Sequence, residues 1–225
     1  EYGMNYSDIQ VYDLDADIKK FNPSKDSLSF FVKMLRFREQ GGFVMEKMTT
    51  RFSQGKTFLS FRELEIQTPY SDITGDEITM RFRNYKAFKA DSFERLVRFR
   101  INLDKSPLNL KDIGYFAPAF KNSNQEVTLS GNVYGPLSNF RGRKLSLTFG
   151  NHSRFEGELD FEGLPHIRET FIHADISHLA TTATDLEAMQ LPGGYTIRLP
   201  SQIDKLGLIA YQGNYTGFVN DFVAY

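Results

Sequence analysis

An all-β fold with a few short helices at its edges is what this sequence predicts, and three observations predict it. In Phe155-Glu-Gly-Glu-Leu-Asp-Phe-Glu162, Phe155, Gly157, Leu159 and Phe161 share one side of an extended strand, and Glu156, Glu158, Asp160 and Glu162 share the other. Successive strand side chains point to opposite faces, so this is period two without exception. The same pattern recurs along most of the chain between clusters of turn residues. Helical periodicity is confined to three stretches of one or two turns. The sheets are therefore one-sided, and what covers their apolar faces is the functional question.

The elements follow in order. Tyr12-Asp-Leu-Asp-Ala-Asp-Ile18 reads as a strand with Tyr12, Leu14, Ala16 and Ile18 inward and Asp13, Asp15 and Asp17 outward. Its alternate acids look superficially like a calcium loop. That loop needs a glycine at its sixth position and a terminal glutamate, and Ile18 and Phe21 break the pattern. Residues 42–50, 57–67 and 77–85 are further strand candidates. Residues 96–103 set Val97, Phe99, Ile101 and Leu103 against Arg98, Arg100 and Asn102. Val127, Leu129, Gly131 and Val133 share a face within 126–134, and Leu145, Leu147 and Phe149 within 144–149. Ile172, Ala174 and Ile176 oppose Phe171, His173 and Asp175, and Ile209, Tyr211, Gly213, Tyr215 and Gly217 fall together in 208–217.

Turn chemistry separates these runs. Gly41-Gly42, Gln54-Gly-Lys56, Gly150-Asn-His152 and Pro192-Gly-Gly194 supply tight reversals. The Gly-Asn-His loop joins 144–149 to 155–161 as an antiparallel hairpin. Short helices are expected at Asp91-Ser-Phe-Glu-Arg95 with Ser92 as cap, at Leu108–Ile113 after Pro107, and at Ser201–Leu206 with Ser201 as cap. Glycine-bearing strands recur loosely at Gly131/Gly135, Gly157 and Gly213/Gly217, and a strand glycine marks a bulge, a bend or a close backbone approach. Two segments are expected, an N-terminal β segment over 1–120 and a C-terminal one over 121–225 continuous with it.

Composition narrows function. With 27 Lys+Arg against 28 Asp+Glu, the net charge of −1 gives no overall field to recruit nucleic acid or an anionic surface. Arg81, Arg83, Arg95, Arg98 and Arg100 cluster, and alternation reads them as the solvated face of strands. The absence of cysteine removes disulfides, thiol catalysis and thiolate metal sites. No signal peptide and no apolar run long enough to span a bilayer is present in the sequence given. The chain stops inside the strand-like run Phe218–Tyr225, and it reads as a piece of something longer.

No catalytic or metal-binding pattern emerges. His173 and His178 are five apart, a poor match to helical metal pairs, and on an extended strand they would face opposite ways. His152 and His166 read as surface or turn residues. There is no Gly-x-Ser-x-Gly elbow, and Ser130 and Ser153 lack a nearby base in sequence. The acids from Glu156 to Glu162 are alternate residues on a solvated face, and no phosphate-cradling glycine loop exists. No enzyme, no cofactor and no metal is expected.

Three stretches carry a family resemblance. They are Ser29–Phe43 with Phe58–Ser71, Leu129–Leu147 (Leu-Ser-Gly-Asn-Val-Tyr-Gly-Pro-Leu-Ser-Asn-Phe-Arg-Gly-Arg-Lys-Leu-Ser-Leu), and Gly207–Tyr225. Their order and character resemble the AsmA-like, TamB-type translocation and assembly module proteins of Bacteroidetes-like bacteria, over most of the chain. The motifs are structural and name no catalytic residue.

The resemblance implies an internal periplasmic segment of an envelope protein whose parent is anchored in the inner membrane. It implies an elongated, curved, incompletely closed sheet, an open groove or taco, with an apolar inner surface. The implied role is inter-membrane phospholipid transport and outer-membrane assembly. The implied partners are phospholipid acyl chains, neighbouring segments of the parent and the outer-membrane assembly machinery, with no nucleic acid. Val127, Leu129, Val133, Leu145, Leu147, Phe149, Phe155, Leu159, Phe161, Ile209, Tyr211 and Tyr215 are the candidates for the lipid-facing or core face. Covering an acyl chain there gains about 0.8 kcal/mol per buried methylene. Alternation alone leaves open whether these residues line a groove or fill a closed sandwich core between two facing sheets. The alternative function is a carbohydrate- or protein-binding β-sandwich on the cell surface, with Phe171, His173 and Asp175 as its outward aromatic and polar row.

Overall fold

Twelve strands pair antiparallel in strict chain order within one sheet of the computed structural model. They are Val11–Pro23 (β1), Ser27–Glu39 (β2), Val44–Gly55 (β3), Phe58–Gln67 (β4), Asp72–Arg81 (β5), Arg98–Asn109 (β6), Glu126–Pro136 (β7), Asn139–Phe149 (β8), Ser153–Glu162 (β9), Phe171–Thr182 (β10), Leu208–Phe218 (β11) and Asp221–Ala224 (β12). The structure describes residues 3–225 apart from 6, 7, 90, 91, 200, 201 and 220. The fold is all-β, the sheet is open and uncurled, and no second sheet packs on it among the described residues. The expected segments 1–120 and 121–225 meet where β6 pairs with β7, inside that same sheet.

The three α-helices among the described residues are short: Phe93–Leu96 (α1) between β5 and β6, Leu110–Phe116 (α2) between β6 and β7, and Ala183–Ala188 (α3) between β10 and β11. Ser92 precedes α1 but makes no side-chain cap bond. Leu108 belongs to β6, and α2 starts later than expected because the Asn109 side chain accepts from the Lys111 N–H. Ser201 lies outside the described residues, and a 3-10 turn over Asp204–Leu206 stands at the end of that expected helix.

A line of irregularities crosses the sheet. β2, β4, β6, β8 and β10 each carry an extra residue in mid-strand, seen as register shifts at Val32/Leu35, opposite Thr49/Arg51, at Leu103/Ser106, at Gly142/Leu145 and at Ile176/Leu179. Because the chain meanders, these five strands run the same way and their bulges align. A bulge admits one unpaired residue and bends its strand locally. Glu63 (φ 50°) and Lys144 (φ 52°) adopt the left-handed conformation in two of them. The odd strands alongside answer with glycine: Leu103 pairs with Gly131, Leu145 with Gly157, and Gly157 with Ile176, which pairs with Gly213. Each branched side chain of a bulged strand thus spreads over a neighbour without a side chain.

Gly131 shows why. Its φ is +127°, and a Cβ there would stand 2.7 Å from the Lys144 carbonyl oxygen and 3.0 Å from the Leu145 Cα. The segments Gly131-Asn-Val-Tyr-Gly135 and Gly213-Asn-Tyr-Thr-Gly217 occupy equivalent places in the hairpins β7–β8 and β11–β12, with Phe140 and Phe222 following on the partner strands. The loose glycine repeat of the sequence is this hairpin repeat.

Candidate apolar face and its surroundings

Directly opposed residues share a sheet face, so the register traces that face strand by strand. Phe30 opposes Phe52, then Phe61, Ile78, Ile101 and Val133 in turn. Val133 opposes Gly142, and the row continues through Leu159, Ala174, Tyr215 and Ala224. At the β1 end the Phe21 ring lies 6.2 Å from that of Phe30, and Phe30, Phe52 and Phe61 follow at 4.8 and 5.2 Å. No charged residue interrupts the row. Eleven steps of about 4.8 Å make it about 53 Å long, more than the ~30 Å hydrocarbon thickness of a bilayer.

All twelve candidates read from the sequence lie on this face. Val133, Leu159 and Tyr215 stand in the row itself, and Phe161 sits beside it against Ile172. Leu145 fills the bulge line. Leu129, Leu147, Phe155 and Tyr211 form the next row through Leu179. Val127, Phe149 and Ile209 form the one beyond. Val133, Leu145 and Phe155 pack with Ala174 and Ile176 as one buried cluster, and Ile101, Leu147, Leu159, Tyr211 and Tyr215 border it. The aromatic half of the row, Phe30, Phe52 and Phe61, was not among the candidates. Its signal lay in the hairpin itself, since Phe52 and Phe61 sit symmetrically about the turn at Gly55-Lys56.

The face is flanked at both strand ends. On one side, Phe43, Met45 and Tyr115 of α2 pack with Phe37, Met48 and Ile66. On the other, Phe82, Ala87 and Val97 pack with Met80, Phe93 and Phe99 beneath the β5–β6 connection. Val97 there is 0% exposed, whereas Phe30, Phe52, Phe61, Ile78, Ile101, Leu159 and Tyr215 of the central row remain partly exposed. The accessible surface of 13844 Å² is about a third above the ~10,500 Å² that size scaling gives a compact 25.9 kDa chain. The excess is that of a sheet face without a second layer.

Buried carboxylates hold the flanks. Asp112, in the first turn of α2, accepts from Thr68 Oγ1 at 2.6 Å and Ser71 Oγ at 2.5 Å in the β4–β5 turn. Asp185, in the first turn of α3, accepts from the Asn151 and His152 N–H groups and from Ser153 Oγ in the β8–β9 turn. Burial pushes the Asp185 carboxyl up, but those two amides and the hydroxyl outweigh it and hold it below the usual range. Tyr115 Oη donates to Glu39, and this bond is the main reason the Glu39 carboxyl is held low. These contacts join helices to turns; none points a reactive group toward the apolar face.

The opposite face is polar and largely charge-matched. Asp15 pairs with Arg36, Asp17 with Lys33, Glu63 with Arg51 and Glu65 with Lys47 across strands. Arg143 meets Glu158 and Asp160, and its guanidinium holds the Asp160 carboxyl below the usual range against burial. The alternate aspartates of β1 are thus cross-strand ion partners. Asp13, at φ 52°, departs from regular extended backbone, and Leu14 at 63% exposure is not buried on this edge strand.

His173 faces Asp160 and Thr216, with Nδ1 2.9 Å from Thr216 Oγ1. The bulge between Ile176 and Leu179 inverts the alternation, so His178, opposite Glu156, lies on the polar face with His173 and not on the other. No group of three or more His, Asp or Glu could hold a metal among the described residues. Ser153 bonds Asp185 and Thr181, and the hydrogen bond from His152 to Asp185 comes from its backbone N–H. In the row Phe171, His173 and Asp175, the Phe171 ring packs edge-on against Phe218 at 5.5 Å. No helix is long and apolar enough to cross a membrane among the described residues. No family model, no curated protein and no solved structure matches this chain.

Proposed function

We propose that the apolar face carries phospholipid acyl chains, and that the chain is a non-enzymatic segment of a TamB-like envelope protein, working in the periplasm between inner and outer membranes. The observation that carries this reading is the uncharged row from Phe21 to Ala224, which crosses every strand on a face with no second sheet over it. A hydrocarbon chain needs a continuous apolar floor and no directional partner, because its transfer from water is driven by area alone. Flanks such as those around Tyr115 and Val97 would confine it laterally, and no chemistry on the head group is required.

Mass spectrometry of lipid extracted from the purified, undenatured protein tests this, beside a detergent-stripped control and a Leu159→Asp variant. Leu159 is partly exposed in mid-row. The substitution places a charge on the floor while the carboxylate keeps access to water. Co-purifying phospholipid is expected for the native chain and its loss for the variant, with a stability decrease of about 2 kcal/mol. A lipid-free native protein that the substitution unfolds outright would instead describe a closed core, where an unpaired charge is far more costly.

A further inference from the structure

We propose that the end of the sheet bearing the β5–β6 connection docks on an anionic bilayer surface. Elsewhere on the polar face, basic residues have acids across the strands, as in Arg36–Asp15, Lys47–Glu65 and Arg143–Asp160, and even where Arg51 opposes Arg62, Arg51 pairs with Glu63 and Arg62 opposes Glu77. At β5–β6 the pattern reverses. Arg81 directly opposes Arg98, and Arg100 follows on the same face with its guanidinium over the Tyr134 ring at 5.9 Å. Among the described residues no ion pair neutralises these three arginines, and like charges directly opposite one another destabilise a sheet.

The connection that leaves this strand pair adds to the excess. Between residues 81 and 100 the sequence holds seven Lys or Arg against two acids, a surplus of five in a chain whose net charge is −1. Arg83, Lys86 and Lys89 are exposed there. So are two apolar side chains, Tyr85 at 50% and Leu96 at 56% exposure. A connection that exposes both cations and apolar side chains suits the head-group region of a bilayer, which takes charge and hydrocarbon at adjacent depths. An acidic peptide would use the arginines and leave Leu96 without a role.

The docking is independent of the apolar row, and the test keeps the two apart. Flotation with phosphatidylcholine vesicles and with phosphatidylcholine–phosphatidylglycerol vesicles reads the partition coefficient. Binding is expected to the anionic vesicles only, and to fall as salt rises from about 0.1 M to about 1 M and the Debye length shrinks from about 10 to about 3 Å. Each surface cation adds about 1 kcal/mol, or about fivefold, so Arg98→Glu lowers the partition about thirtyfold. That variant also sets a carboxylate opposite Arg81, so its melting temperature stays level or rises, and lost binding cannot be ascribed to unfolding. Leu159→Asp is expected to bind vesicles normally even where it no longer carries lipid. Equal binding to both vesicle types, undiminished binding by Arg98→Glu, or binding to polyglutamate with none to vesicles would each overturn the proposal.

Discussion

Replacing Gly131 with alanine tests the line of bulges against a calculable cost. At φ +127° an L residue is rarely found, and holding one there costs about 1–3 kcal/mol. The added Cβ would also meet two backbone atoms of β8, the Lys144 oxygen at 2.7 Å and the Leu145 Cα at 3.0 Å. Neither can rotate away, so β7 and β8 must separate where their register already shifts, an overpacking cost of about 1–3 kcal/mol more. The two together come to about 4 kcal/mol. Gly194→Ala is the control, because φ there is also positive, at +74°, with nothing within 4 Å of the new methyl; its cost is the conformational part, about 1–2 kcal/mol. Urea unfolding of both variants beside the native chain reads the difference. With a slope of about 2–3 kcal/mol per molar, Gly131→Ala lowers the midpoint by about 1.5 M. A Gly131→Ala midpoint no lower than that of Gly194→Ala would refute the argument that close strand approach at the bulges excludes a side chain.

Three further outcomes follow from burial and charge. Asp185→Ala removes a carboxylate that accepts three hydrogen bonds from the β8–β9 turn, and a loss of about 3 kcal/mol in urea unfolding at neutral pH is expected. Because the folded Asp185 carboxyl titrates below its ordinary value, its contribution is fully present above the unfolded value of about 3.9 and disappears as pH falls through the folded one; titrating stability downward from neutral pH should show this loss in the native chain and not in Asp185→Asn. Leu64, 2% exposed opposite Gly75, should lose about 3 kcal/mol on truncation to alanine, against about 1 kcal/mol for the partly exposed Leu159, and equal losses would mean that the central row is as enclosed as Leu64.

What the sequence reveals here, and what it hides, is decided by the bulges. Strands that alternate without interruption, above all β9, are legible residue by residue, and so is the hairpin it forms with β8 through Gly150-Asn-His152. β2 is not. In Ser-Phe-Phe-Val-Lys-Met-Leu-Arg-Phe, Phe30 and Val32 share the face of Leu35 and Phe37 although their spacing is odd, because the extra residue near Lys33 resets the alternation. The same reset takes Leu145 to the side of Gly142 and turns His178 to that of His173. The candidate face was readable in its C-terminal half, where β7, β9 and β11 alternate regularly. Its aromatic half needed the pairing register, which period-two counting does not supply. The strongly basic stretch from Arg81 to Arg100 was visible as composition, but the opposition of Arg81 and Arg98 is a property of register alone.

A sheet with one face uncovered must draw its stability from elsewhere, and the structure locates where. Buried side chains gather at the strand ends and along the bulge line: Val97 under the β5–β6 connection, Tyr115 in α2, and Leu145 over Gly131 and Gly142. Cross-strand pairs contribute along the length of each hairpin. Between these lies the row from Phe21 to Ala224, whose side chains touch their neighbours on either strand but have no protein layer above them. Had this face evolved only to fill a core, charged residues would be expected wherever a residue on it is left open to water, as on the reverse face. Instead the partly exposed positions of the row are phenylalanine, isoleucine, leucine and tyrosine, with Val133, Gly142 and Ala174 buried between them. That uncharged row, partly exposed on seven of its strands, is what supports the proposed apolar occupant, and a hydrocarbon chain asks nothing more of its site.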